Sequence, residues 1–112
     1  MDFRSKYVTH WYQDFAGEIT EESVQRMYDT RKELEDKIEM WRESLIKQEQ
    51  YKMEHLMTGK DTGMIERFIR DLQDAIQENE RQIKGLNVVL LQAEDGLAYS
   101  QKTGNTVMLI DS

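Results

Sequence analysis

Gly59-Lys60-Asp61-Thr62-Gly63 separates two long stretches of helix-like sequence, and its reading decides the fold. Upstream, Val24, Met27, Arg31, Leu34, Ile38, Trp41 and Leu45 recur at steps of three and four. Downstream, Ile65, Phe68, Leu72, Ala75, Asn79, Leu86 and Val89 keep steps of three, four or their sum. Such spacing holds one stripe of each helix toward a partner. A connection this short lets the second helix fold back on the first. The chain has no proline, so neither stretch carries a residue that breaks a helix interior. The expected fold class is all-α: an antiparallel, coiled-coil-like helical hairpin with a short N-terminal amphipathic helix and a short extended C-terminal strip. The expected boundaries, in one domain over 1–112, are helices at 2–16, 20–57 and 63–102 and a tail at 104–112.

Working outward from the turn, the start of the first long helix is well marked. Ile19-Thr20-Glu21-Glu22-Ser23-Val24 sets a hydroxyl at the N-cap and two carboxylates in the first turn, where the helix dipole favours them. Ile19 and Val24 occupy the two positions of a hydrophobic staple. Before it, Phe3, Tyr7, Val8, Trp11, Tyr12 and Phe15 fall on one stripe and Gly17 is placed to end that helix. Between Lys47 and His55 the seam weakens, because Gln48 and Lys52 stand where apolar residues are expected, and the hairpin tip reads as loose or wet. Asp61 or Thr62 is placed to cap the second long helix. Its stripe is widened by Ile69, Ile76, Ile83 and Leu90, which need either the N-terminal helix or a second protomer to cover them. Gly85 and Gly96 interrupt otherwise good helix, at ~1 kcal/mol each against alanine; close packing against a bulky aromatic is the reason expected for Gly85.

Two readings of the end compete. A hairpin that pairs residues whose numbers sum to about 121 carries helix to Lys102, which is the preferred reading. The alternative stops at Gly96 and forms a β-hairpin from 97–101 and 106–110 around Thr103-Gly104-Asn105. In both, Val107, Met108, Leu109 and Ile110 form an apolar strip with no place in a two-helix seam.

Composition narrows the function. A net charge of −7 lacks the basic face that direct nucleic-acid binding needs, and it disfavours anionic membrane surfaces. With no cysteine there is neither disulfide nor thiol chemistry. The longest apolar runs fall far short of the ~20 residues of a membrane span, and the opening residues do not read as a secretory leader. A cytoplasmic location is expected, the host cytoplasm if the chain is phage-encoded.

No pattern of residues points to an enzyme, a cofactor or a metal. His10 and His55 stand far apart, and neither has a glutamate three residues before it. The G-K-x-T spacing at 59–62 lacks the strand and full glycine spacing of a phosphate loop, so it reads as a turn. Carboxylates alternate with lysine and arginine along the helices (Glu33 and Lys37, Glu66 and Arg70), which is a solvated, ion-paired face. Arg31 and Asn79 occupy seam positions. Arg31 is read as snorkelling along the seam, and Asn79 as either facing a wet edge or fixing register and oligomer state. Met27, Met40, Met53, Met57 and Met64 crowd the outer hairpin, as adaptable filling or as a surface that accepts partner helices.

In size, charge and helical-hairpin shape the chain is similar to flagellar and type III export chaperones, small WXG-type secreted proteins and phage accessory proteins. No motif is shared with them; the turn lacks the tryptophan of the WXG signature. The expected function is a non-enzymatic interaction module: a small helical homo-oligomer, a dimer, acting as adaptor, assembly chaperone or structural component for a protein partner. Phe3, Tyr7, Trp11, Tyr12, Phe15, Val107, Leu109 and Ile110 are the expected contact residues. One alternative is a phage-type inhibitor whose acid-rich stretches (Asp14 to Asp29, Asp71 to Glu80) block a host protein's nucleic-acid-binding surface. Another is a helical oligomer that sequesters a small signalling ligand.

Overall fold

The computed structural model describes residues 15–109. In chain order they form strand β1 (Gly17–Glu18), helix α1 (Glu21–Met57), helix α2 (Gly63–Thr103) and strand β2 (Met108–Leu109). The two long helices pack against each other as a hairpin, and the fold is all-α with one small antiparallel strand pair. The predicted helix over 2–16 lies outside the described residues except at its end, where Phe15 is helical and buried.

Each helix boundary has a local cause. Thr20 caps α1: its Oγ1 accepts from Ser23 N at 3.1 Å, while Ser23 Oγ accepts from Thr20 N at 2.8 Å. This is a capping box with serine in the place usually held by glutamate, and both staple residues, Ile19 and Val24, are buried. At the far end Gly59 takes φ +73°, Lys60 N donates to His55 O at 2.8 Å and Gly59 N to Leu56 O at 3.4 Å. That pair of bonds is a Schellman motif, which needs a residue free to turn left-handed. Asp61 Oδ1 then accepts from Gly63 N at 3.1 Å, and Glu66 N donates to Thr62 O at 2.9 Å to open α2.

α2 runs to Thr103, so 97–101 is helix and the alternative β-hairpin does not form. Gly104, at φ +75°, turns the chain back. β2 then pairs antiparallel with β1, Gly17 opposite Leu109 and Glu18 opposite Met108, and Ile19 N donates to Val107 O at 2.9 Å. The strip expected as a tail is thus docked on its own chain as far as Leu109; Ile110 lies outside the described residues. Gly96 sits beneath this crossing. A Cβ there would stand 2.7 Å from Ile19 Cδ1 and 3.1 Å from Val107 Cγ1, so glycine lets these side chains lie against α2 where a larger residue would make both shift.

Packing separates two compact units. Within the described residues one comprises 15–33 and 81–109. Its centre is Met27, Leu86, Val89 and Ala93, all fully buried, closed by Phe15, Ile19, Leu90 and Leu109. Gln101 Nε2 donates to Glu21 Oε1 at 3.1 Å on its surface. The other unit is Leu34–Glu80, which buries Leu34, Ile38, Leu72, Ile76 and Asn79. Beyond Ile38 in α1 and before Leu72 in α2 no residue is buried; Trp41, Leu45, Ile65 and Ile69 are half-buried and Phe68 is exposed. The expectation of a weak outer seam matches this packing.

Candidate interaction surface

The outer part of the Leu34–Glu80 unit combines firm backbone with open side chains. Its turn is closed by the glycine and aspartate bonds described above, and His55 Nδ1 lies 3.2 Å from Asp61 O. Lys52 Nζ reaches Glu66 Oε1 at 3.4 Å, and Arg42 Nη2 reaches Glu80 Oε1 at 2.6 Å. On this frame Ile46, Tyr51, Met53, Leu56, Met57, Met64 and Phe68 are 47–85% exposed. Scattered single apolar residues need no explanation, but seven large exposed ones on a span of 23 residues are an unusual density, and Met64 and Phe68 among them line one concavity.

Two shallow concavities flank it. One follows a single face of α1 through Glu35, Ile38, Glu39, Arg42, Glu43 and Ile46. The other sits between the helices, where Gln48 faces Met64, Ile65, Arg67, Phe68 and Asp71. The first is chiefly charged. The second places an aromatic ring and a flexible thioether on its floor, with an arginine and an aspartate at its rim, the makeup of a protein contact.

Of the contact residues expected from the sequence, Phe3, Tyr7, Trp11 and Tyr12 lie outside the described residues, as does Ile110. Phe15 and Leu109 are buried in their own unit and Val107 is half-buried, so these three serve the chain's own packing. Arg31 is half-buried: its Nη1 donates to Asn87 Oδ1 at 2.9 Å and its Cζ stacks 4.9 Å from the centre of the Tyr28 ring. Asn79 does not face a wet edge. It is 8% exposed, and its buried Nδ2 has no hydrogen-bond partner. A buried amide donor left unpaired costs ~1–3 kcal/mol. Sequence reasoning offered Met53 and Met57 as filling or as a partner surface; what it missed is Ile46 and the outward row it makes with them. Its signal was the seven- and four-residue spacing, one step around the helix from the seam residue Leu45.

Among the described residues no group of three or more His, Asp or Glu is placed to hold a metal ion, and no helix is long and apolar enough to cross a membrane. Neither a protein-family model, a curated protein nor a solved structure matches this chain.

Proposed function

We propose that the chain is a non-enzymatic protein–protein interaction module, a small helical oligomer that serves as adaptor, assembly chaperone or structural component. The observation that carries this reading is the capped, apolar outer end of the Leu34–Glu80 unit. Folding normally hides methionine and phenylalanine, yet here Met64 is 85% and Phe68 47% exposed beside a concavity. Unbranched methionines repack around differently shaped partners, which suits an adaptor. The concavity between Gln48, Met64 and Phe68 is the docking point for a partner protein, and its apolar floor favours an amphipathic helix laid across it.

The test compares the full chain with a Met64→Glu, Phe68→Glu variant as baits against a lysate of the source cells. Both positions are exposed, so circular dichroism should show unchanged helix content. Proteins retained by the wild type and lost by the variant, identified by mass spectrometry, are the expected result. Equal retention by both baits overturns the assignment of the surface.

A further inference from the structure

We propose that the row Ile46, Gln50, Met53 and Met57 on α1 docks against the same row of a second copy of this chain, the two α1 segments running antiparallel. The proposal rests on the interaction-module reading and names the occupant of a different face. The row steps by four, three and four, the period of a coiled-coil seam, and it is separate from the seam that faces α2. Ile46, Met53 and Met57 are 58%, 62% and 84% exposed. The row is bounded at both ends: one heptad step before it stand Glu39 and Glu43, and after it comes the Gly59 turn. An apolar strip of twelve residues, about 18 Å of helix, is left between them.

Charge selects a second copy as the occupant. From Ile46 to Asp71 there are five cations (Lys47, Lys52, Lys60, Arg67, Arg70) and five anions (Glu49, Glu54, Asp61, Glu66, Asp71) in a chain whose net charge is −7. In the same unit, 34–45 and 72–80 carry seven anions against Lys37 and Arg42, a net −5. Within this unit two copies therefore meet without net repulsion only over the outer segment. The register is fixed by the same residues. Setting Ile46 over the partner's Met57, and Gln50 over the partner's Met53, brings Lys47 beside the partner's Glu54, and the twofold axis repeats the pair. On the other flank Glu49 meets the partner's Leu56, so no like charges face each other. Gln50, at the centre of the row, contributes the polar step that disfavours slipped registers.

One row per copy buries less than the ~1,200 Å² of a standard stable interface, so the dimer is weak and concentration-dependent. Sedimentation equilibrium of the full chain over a wide concentration range should show monomer passing to dimer. Met53→Glu should weaken association about tenfold or more, and Lys47→Glu and Glu54→Lys singly should weaken it severalfold. The double variant Lys47→Glu, Glu54→Lys should restore it, because the swapped pair is again complementary. All three positions are exposed, and unchanged circular dichroism confirms the fold of each variant. A wild type that stays monomeric throughout overturns the proposal, while capture of partners through Met64 and Phe68 is read separately. Dimerisation unaffected by Met53→Glu overturns it as well. Failure of the double variant to regain the wild-type association overturns the antiparallel register.

Discussion

Between Leu86 and Ala93 the helix α2 buries Leu86, Val89 and Ala93 completely, whereas between Gly63 and Asp71 the same helix buries nothing. Apolar supply is part of the difference, since 86–93 has six apolar residues in eight and no charge, whereas 63–71 sets Met64, Ile65, Phe68 and Ile69 among four charged residues. The stretches differ also in what else is nearby. In the unit of 15–33 and 81–109, Phe15, Ile19, Val107 and Leu109 join the two helices, and the helical glycine Gly96 lets Ile19 and Val107 approach. Two helices alone cover about half of each other's circumference, so complete burial requires a further layer. Apolar spacing sets which face points inward; the number of segments packed on that face sets how dry it becomes.

The comparison can be broken most readily at its dry end. Leu86→Ala should cost roughly 2–5 kcal/mol in thermal or denaturant unfolding, the range for a fully buried leucine. A loss under about 1 kcal/mol would show that the core there is open to water. Deleting Thr106–Ser112 removes buried Leu109 and the Ile19–Val107 bond. It should cost about 2–3 kcal/mol, since Leu109 alone forfeits ~1.5–3 kcal/mol of burial. An unchanged melting temperature would place the strip outside the fold. Gly96→Val should cost about 1–3 kcal/mol by overpacking against Ile19 and Val107, although the same change in an open helix would be favourable.

At the wetter end the signs change. Asn79→Leu should raise stability by about 1 kcal/mol, because the unpaired Nδ2 disappears and apolar surface takes its place. A fall in melting temperature would mean that the amide is held by a bond formed in solution. Met53→Ala should stay within about 0.5 kcal/mol, as for other surface positions. A larger loss at high protein concentration, vanishing on dilution, would sharpen the dimer proposal.

Local signals were the legible part. Thr20, Ser23 and Val24 announce a helix start within five residues of chain, and Gly59 with Asp61 announces a turn, because capping depends on near neighbours. The α1–α2 seam was legible from periodicity, and the place of Asn79 in it with it. The β1–β2 pair was not. Two residues on each side show no alternation, and Gly17 and Leu109 are brought together only after the hairpin has formed. Trp41 was read as a seam residue and is only half-buried. Spacing gives its direction but not the bulk that meets it. Gly96 read as an interruption of good helix and offered an alternative stop, because packing across 77 residues, from Ile19 to Gly96, is invisible to a local reading.

The antiparallel pairing of Gly17 with Leu109 and Glu18 with Met108 also fixes how the chain answers to force. Gly17 opens β1 at the end of the ladder where Leu109 closes β2, so a force that parts these two residues opens the ladder as a zipper. The Gly17–Leu109 step yields first, then Glu18–Met108, then the Ile19–Val107 bond. Opposite pulling along the strands, in shear, would load all of these at once. A force parting Gly17 from Leu109 therefore meets a succession of small barriers, and it lifts Leu109 and Ile19 out of the core before it strains the long helices.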